Sequence, residues 1–265
     1  MKKSDDLIIV RGAGELASGA IRRLVLAGFP VIALEIPKPL CVRRTVSFAS
    51  AVFDGAISIE GVTGNFFVNS DDALLAAREG VAGIVIDPAG DSIGKFSPKT
   101  VIDARMMKNN PDTSSKMAET VIALGPGYTA PEDAHYVIET SRGHDLGRVI
   151  TEGSALPNTG VPGEVGGESA KRVLRAPAVG EFNSLIRLGE MVSEGEPVGE
   201  VNGQNVTAEI SGLLRGLIHD GVEISKGVKV GDVDPRGNPD YLHTISDKAN
   251  AIAGGVMEAV MRGNG

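Results

Sequence analysis

The prediction of the fold begins from Leu7-Ile-Ile-Val-Arg-Gly-Ala-Gly-Glu-Leu-Ala-Ser-Gly19, near the start of the chain. Its apolar residues predict a strand covered on both faces. Gly12, Gly14 and Ala17 then match G-x-G-x-x-G/A at the opening of a helix. Loops of this kind bind a pyrophosphate through backbone N–H groups and the positive end of the helix. We therefore predict a cofactor site at Gly12, Ala13, Gly14, Glu15 and Ala17.

An acidic residue follows at the spacing that a dinucleotide site requires. Glu35 closes the second predicted strand, 21 residues after Gly14. An acid there accepts hydrogen bonds from a ribose 2′-hydroxyl, which favours NAD over NADP. Glu15 would repel a phosphate unless it points away, and Pro37 and Pro39 turn the chain sharply after Glu35. The ligand that we expect is therefore either NAD(P) or a nucleotide-like pterin.

Further strands alternate with helices along the first half of the chain. Apolar runs at 83–86, 100–102 and 120–123 predict strands, and Ser70 is predicted to cap a helix. This alternation predicts an α/β fold with a Rossmann-like, mostly parallel sheet over residues 1–150. An irregular, Gly- and Pro-rich connector follows at 151–175.

An internal repeat dominates the second half. Residues 178–201 match 210–233 at an offset of 32, with nine identities in 24 positions, four of them glycines. Two such short, glycine-punctuated halves predict a small all-β barrel-sandwich hybrid domain, biotinyl- or lipoyl-like, at 176–234. No lysine lies between Lys171 and Lys226, so we expect no covalently attached swinging arm. A C-terminal helix is predicted within a tail at 235–265.

Several residues at predicted strand ends are candidates for ligand contact. Gly125 and Gly127 follow a strand whose carboxyl end borders the expected ligand crevice. Asp87 and Asp103 also end strands, where they could contact ligand hydroxyls or accept a proton. The alternative for each aspartate is a cap on the turn that follows.

Two further segments carry reactive side-chain types. Arg142, His144 and Arg148 share a glycine-flanked loop, suited to binding a phosphate and moving a proton, or else simply solvated. Cys41 precedes Arg43 and Arg44, and neighbouring cations favour a thiolate able to carry sulfur or selenium. The alternative for Cys41 is an inert, half-buried thiol.

Composition excludes some classes of function. A net charge of −8 argues against a nucleic-acid partner. One cysteine can form neither an internal disulfide nor a zinc site by itself, and we expect no metal site. No secretory signal or membrane-spanning run is visible, so we expect a cytoplasmic protein without a membrane partner.

The chain resembles the accessory proteins of selenium-dependent molybdenum hydroxylases (the YqeB type), whose nucleotide-binding half is similar to XdhC-type chaperones. The resemblance rests on the glycine loop at 11–19, Cys41-Val-Arg-Arg-Thr-Val-Ser-Phe48, Gly125-Pro-Gly-Tyr128, 139–148, 158–163 and Ile245-Ser-Asp-Lys-Ala249. It implies a maturation factor that binds molybdenum cofactor (molybdopterin) or a related nucleotide and assists its modification or delivery. The implied partners are the apo-hydroxylase or another maturation protein.

Two alternatives belong to other classes. The chain could be an NAD-dependent oxidoreductase, or a non-catalytic scaffold that docks through the sandwich domain. For a scaffold, deletion of 176–233 should abolish partner binding and leave ligand binding intact. The sequence leaves open whether the protein is an enzyme and whether it forms a homo-oligomer.

Overall fold

The computed structural model describes residues 5–158, 160 and 163–263. It divides the chain into two compact units. Within the described residues, the first unit contains 5–39, 47–158 and 245–263, and the second contains 40–46, 160 and 163–244. Each unit is therefore built from segments that are distant in sequence. The motif at 158–163 is described only in part, because 159, 161 and 162 lie outside the described residues.

The first unit is built on one nine-stranded sheet. The strands of this unit are β1 (Ile8–Arg11), β2 (Val31–Glu35), β3 (Ala56–Ile59), β4 (Val62–Phe66), β5 (Ala82–Ile86), β6 (Thr100–Asp103), β7 (Thr120–Leu124), β8 (Thr129–Ala130), β9 (Tyr136–Ile138), β10 (Val149–Ile150) and β11 (Gly153–Ser154). The sheet has the order β10-β9-β7-β6-β1-β2-β5-β4-β3, and β8 and β11 pair separately. The seven strands from β9 to β4 run parallel, whereas β10 and β3 are antiparallel at the two edges.

Helices cover this sheet because its central strands are apolar on both faces. Ile9, Ile32, Val101 and Val121 are fully buried. The α-helices among the described residues are α1 (Glu15–Leu26), α2 (Ala51–Asp54), α3 (Ser70–Arg78), α4 (Asp91–Phe96), α5 (Asp240–His243) and α6 (Asp247–Gly263). The prediction of Ser70 as a cap is wrong by one residue. The Asn69 side chain caps α3 by accepting a hydrogen bond from the Asp71 N–H at 2.9 Å.

The helix α6 packs closely on α1 and on the loop before β10. A Cβ added at Gly19 of α1 would lie 2.8 Å from the Ala249 carbonyl oxygen of α6. A Cβ added at Gly255 would lie 2.1 Å from the Gly147 carbonyl oxygen. The backbones approach so closely at these two points because neither position carries a side chain.

The second unit contains two four-stranded antiparallel sheets. Its strands are β12 (Val173–Arg175), β13 (Gly180–Ser184), β14 (Met191–Val192), β15 (Pro197–Val201), β16 (Gln204–Thr207), β17 (Gly212–Leu217), β18 (Val222–Ile224) and β19 (Lys229–Asp234). The sheet orders are β12-β19-β17-β14 and β16-β15-β13-β18. The strand β14 of the first repeat thus pairs in the sheet of the second, and β18 pairs in the sheet of the first. Each half of the repeat completes the sheet of the other.

The predicted combination of a Rossmann-like domain and a barrel-sandwich hybrid is wrong. The chain forms a large mixed sheet and separate antiparallel sheets instead. The prediction of a mostly parallel sheet missed the antiparallel strands at both edges. It missed the β3–β4 hairpin, whose turn at Glu60 and Gly61 has φ angles of 42° and 87°. It also missed β10, which turns back antiparallel on β9.

Candidate functional site

The carboxyl ends of the parallel strands form the candidate site of the first unit. β1 is central, with β2 on one side and β6 on the other. The chain passes from β1 through α1 to β2, and later returns to the opposite side of β1 with β6. In open parallel sheets, ligands bind in the crevice at such a change of direction. The loops that follow β1, β2, β5, β6, β7 and β9 therefore carry the residues to be considered.

The glycine loop after β1 is held firmly but leaves open space at Gly14. Gly12 has a φ of 93°, and an added Cβ would lie 3.2 Å from the Ala104 carbonyl oxygen. The Ala13 carbonyl accepts hydrogen bonds from the Ser18 hydroxyl at 3.0 Å and from the Ala49 N–H at 2.9 Å. Gly14 is the N-cap of α1 without a side-chain cap, and no atom lies within 4 Å of its added Cβ.

Two predicted residues support this loop from within. A Glu35 carboxylate oxygen accepts a hydrogen bond from the Ala13 N–H at 3.3 Å. Burial raises the pKa of Glu35, and the hydrogen bond from Ala13 partly opposes that rise. Ala17 is 1% exposed in the first turns of α1. In this structure Glu35 thus orders the glycine loop.

Lys248, in the first turn of α6, is a residue of the site that the sequence analysis did not identify. Burial lowers the pKa of Lys248, and the positive charge of Arg142 lowers it further. The carboxylates of Glu15, Glu139 and Asp247 act in the opposite direction. A lysine in the first turn of a helix faces the positive end of the helix dipole, and this unfavourable placement was the available signal.

The predicted phosphate-binding loop is largely committed to contacts within the protein. The Arg142 guanidinium donates two hydrogen bonds to the Asp247 carboxylate, at 2.7 and 2.9 Å. Arg148 pairs with Asp145 of the same loop at 3.0 Å, and His144 is exposed. Arg142 therefore fixes the start of α6, and so holds Lys248 beside α1.

A buried ionic network closes the end of β6. Asp103 is fully buried and accepts hydrogen bonds from Arg105 at 2.6–3.2 Å and from the Thr113 hydroxyl. Burial alone would raise the pKa of Asp103, but the hydrogen bonds from Arg105 and Thr113 outweigh it and lower the pKa. Asp103 is therefore a charged anchor for the loop after β6, with its oxygens already engaged.

The same network continues to β1. Arg11, 2% exposed at the end of β1, donates to Asp112 at 2.7 and 2.9 Å, and Arg105 donates to Asp112 at 2.6 Å. The hydrogen bond from Arg11 is the main cause that lowers the pKa of Asp112 to about 2. The Tyr128 hydroxyl is buried without a hydrogen-bond partner among the described residues. Burial and the charge of Asp103 raise the pKa of Tyr128.

The two glycines after β7 allow close packing of this loop. Gly125 has a φ of 79°, and an added Cβ would lie 2.7 Å from the Thr140 hydroxyl oxygen. Gly127 has a φ of 100°, and an added Cβ would lie 2.9 Å from the Lys108 carbonyl oxygen. Both glycines thus lie at the carboxyl edge of the sheet, where neighbouring atoms leave no room for a side chain.

Asp87 directly follows β5, and its N–H donates to the Glu35 carbonyl at 3.0 Å. The Asp87 carboxylate accepts hydrogen bonds from the N–H groups of Gly90, Asp91 and Ser92, at 2.8–3.0 Å, at the start of α4. Burial opposes but does not cancel their effect, and the pKa of Asp87 is lowered. Cys41 belongs to the second unit, where it is 8% exposed.

The part of the chain that the structure describes contains neither a metal-binding cluster nor a membrane-spanning helix. No group of three or more His, Cys, Asp or Glu residues there could hold a metal ion. None of the helices described has the length and apolarity needed to cross a membrane.

Comparison with known proteins gives a sequence relative that matches almost the whole chain. The chain is 46% identical over 255 residues to the uncharacterized protein YqeB of Escherichia coli (strain K12). The match covers 96% of this chain but 47% of that protein, so the chain spans about half the length of the curated relative it matches. No protein-family profile matches the sequence.

Two solved structures that resemble this chain are distant likenesses. An aspartoacylase family protein from Mesorhizobium loti is 11% identical, with a TM-score of 0.26, over 87% of this chain and 85% of that one. The product-bound ectoine utilization protein EutE (DoeB) from Ruegeria pomeroyi is 15% identical, with a TM-score of 0.28, over 88% and 86%. At these scores neither likeness carries an activity to this chain.

The comparisons also correct one expectation. The neighbours named above, and a succinylglutamate desuccinylase/aspartoacylase from Rhodobacter sphaeroides (11% identity, TM-score 0.25, 87% of this chain and 86% of that one), are not molybdenum-cofactor chaperones. The expected structural kinship with such chaperones therefore finds no support in these comparisons.

Proposed function

We propose that the first unit binds a small ligand through an anionic group, with phosphate the best fit, at the N-terminus of α1. The observation that carries the proposal is the space at Gly14. The helix begins there without a side-chain cap, and no atom occupies the 4 Å around the position of a Cβ. Free N–H groups and the dipole at a helix N-terminus attract anions.

The surroundings of Gly14 support the proposal. Lys248 lies near Glu15, the first residue of α1, and adds a cation whose charge an anionic ligand would stabilise. Perturbed lysines of this kind are common at functional sites. Glu35 holds the loop in shape through the Ala13 N–H. Asp103 and Arg11, at the same edge of the sheet, form ion pairs within the protein and hold the loop after β6 in place.

The proposal is tested by two substitutions at Gly14 with opposite effects on stability. Gly14→Val fills the open space with a side chain that is a poor helix cap. Gly14→Asp supplies a carboxylate that caps α1 and competes with an anionic ligand. Gly14 has a φ of −67°, so neither residue strains the backbone. Gly94→Val in α4 is the control, because its added Cβ also meets no atom within 4 Å.

The measurement is calorimetric titration of the full chain with pyrophosphate, ADP, NAD and NADP. We expect both Gly14 variants to weaken binding by at least about tenfold, with Gly14→Asp more stable to heat than Gly14→Val. Gly94→Val should retain wild-type affinity. Equal affinities in wild type and Gly14→Asp, or no binding of any of the four compounds by wild type, would end the proposal.

Two more specific functions, a maturation factor and an NAD-dependent oxidoreductase, remain predictions. A role as accessory factor in the maturation of a hydroxylase in the cytoplasm requires a partner protein, and co-purification with that partner would test it. An NAD-dependent oxidoreductase requires that NAD be the preferred ligand in the titration above, with a redox change of a bound substrate. Binding of ADP or pyrophosphate at equal strength would argue for recognition of the phosphates alone.

A further inference from the structure

The second unit contains a cavity that the proposed function does not use. It has a volume of about 560 Å³ and is lined by Arg44, Thr45, Ser184, Leu185, Ile186, Arg187, Leu188, Leu242 and His243. A volume of this size is typical of sites for small molecules. Three segments thus meet here: the short stretch 40–46, the loop after β13, and the helix α5.

The walls of the cavity are tied together by hydrogen bonds and close packing. The Thr45 hydroxyl donates to the Leu242 carbonyl, and the Arg43 guanidinium donates to the Tyr241 carbonyl at 2.8 Å. Gly189 has a φ of 94°, and an added Cβ would lie 2.8 Å from a methyl carbon of Leu242. These contacts join the stretch 40–46, the loop after β13 and α5 around the cavity.

The lining carries positive charge within an acidic protein. Arg44 and Arg187 line the cavity together with His243, and no aspartate or glutamate is among the lining residues. The whole chain has a net charge of −8. The side chains of Arg187 and His243 make no hydrogen bond or ion pair with any residue that the structure describes. Both side chains are exposed to water, and an anionic group can replace that water with charge-assisted hydrogen bonds.

The internal repeat allows an apolar pair in the lining to be compared with its equivalent in the other half. Leu185 and Ile186 correspond to Leu217 and Ile218 at the repeat offset of 32 residues. Leu217 and Ile218 are fully buried, and Leu217 donates its N–H to the Val42 carbonyl at 2.8 Å. The stretch 40–46 therefore covers that pair. The equivalent pair faces the cavity instead, where Leu185 is 55% exposed.

We infer that this cavity binds a small organic anion with an apolar body. Arg187 binds the acidic group, and Leu185 and Leu188 contact the apolar part, taking the place that the chain itself fills in the other half of the repeat. Burying such a contact stabilises the complex in proportion to the apolar area removed from water. This site lies in the second unit and is separate from the anion site proposed at Gly14 in the first.

The test is calorimetric titration of the full chain with three probes that separate the two requirements. Octanoate has both a charge and an apolar body, 1-octanol has the apolar body alone, and inorganic sulfate has charge alone. We expect octanoate to bind at least about tenfold more tightly than either of the others. Equal affinity for octanoate and 1-octanol, or saturable sulfate binding as tight as that of octanoate, would overturn the inference.

Two pairs of variants locate the site. Arg187→Gln should weaken octanoate binding by about tenfold, the loss expected for one charge-assisted hydrogen bond. Lys226→Gln removes the same charge from an exposed position of the same unit and should leave the affinity unchanged. Equal effects of these two substitutions would contradict the assignment. Gly14→Val should not alter octanoate binding, so this test and the test of the proposed function fail independently.

Discussion

Asp232→Asn should destabilise the second unit more than any surface substitution there. Asp232 lies on β19 with a side-chain exposure of 1%, and its carboxylate pairs with two arginines, Arg172 and Arg215. The side chains of these arginines are 11% and 10% exposed. Removing the negative charge leaves both cations buried with less compensation. Breaking a buried ion pair by removing one partner costs about 3–5 kcal/mol.

We expect about 3 kcal/mol, the lower end of that range. The asparagine oxygen retains one acceptor, and Arg215 keeps a second partner in Asp234 at 2.8 Å. The assay is urea unfolding followed by tyrosine fluorescence. The chain has no tryptophan and three tyrosines, of which Tyr241 alone belongs to the second unit. A background of Tyr128→Phe and Tyr136→Phe therefore lets the signal report the second unit.

Asp220→Asn is the matched control. The exposed Asp220 carboxylate accepts hydrogen bonds from the Ser184 N–H at 2.7 Å and from the Ser184 hydroxyl at 3.0 Å. Its loss should cost no more than about 1 kcal/mol, because water replaces the lost contacts. A loss in Asp232→Asn no larger than that in Asp220→Asn would refute the argument that buried charge governs the stability of this unit.

Three further predictions concern other parts of the molecule. Gly255→Ala should cost about 1–3 kcal/mol in thermal unfolding through its clash with the Gly147 carbonyl, whereas Gly254→Ala meets only the flexible Arg23 head at 3.1 Å and should be neutral or stabilising. The pKa of Asp112 is lowered to about 2, so its charge should contribute in full to the free energy of unfolding of the first unit when the pH is above its unfolded pKa of about 4. This contribution should decrease as the pH falls toward 2, and it should be absent in Asp112→Asn. Cys41, 8% exposed, should react slowly with iodoacetamide in the native chain and quickly in urea; fast native alkylation below pH 8 would instead indicate an activated thiolate.

Local features of the first unit could be predicted from the sequence because their causes are local. The apolar run before Gly12 forms β1, and the glycine loop opens α1 at Glu15. Glu35 closes β2, as predicted. The hydrogen bond that its carboxylate accepts from the Ala13 N–H was not predicted, because a ribose hydroxyl was the expected donor. The predicted features depend on residues that are close in sequence or in neighbouring strands.

Partners that are distant in sequence could not be predicted. Arg11 was considered only as part of the glycine motif, yet it is buried against Asp112, 101 residues away. Arg142 was predicted to bind phosphate, yet its guanidinium is bound by Asp247, 105 residues away. An arginine suited to phosphate is equally suited to a carboxylate, and only the fold decides which one it meets. For the same reason Lys248 was overlooked, since its neighbours Glu15 and Glu139 lie far away along the chain.

The interleaving of the two units decides how a partner-docking role can be tested. Deletion of 176–233 removes most of the second unit but leaves 40–46, 163–175 and 234–244, which belong to that unit as well. Without β17, the Val42 carbonyl loses the hydrogen bond that it accepts from the Leu217 N–H. Newly exposed apolar residues and unpaired backbone groups favour aggregation. Loss of partner binding in such a deletion would therefore report misfolding as readily as a lost docking surface. Substitutions of exposed residues in the second unit avoid this problem. Val179→Ser, at a position that is 65% exposed, removes apolar contact area and leaves both sheets paired. Such substitutions can identify a docking surface.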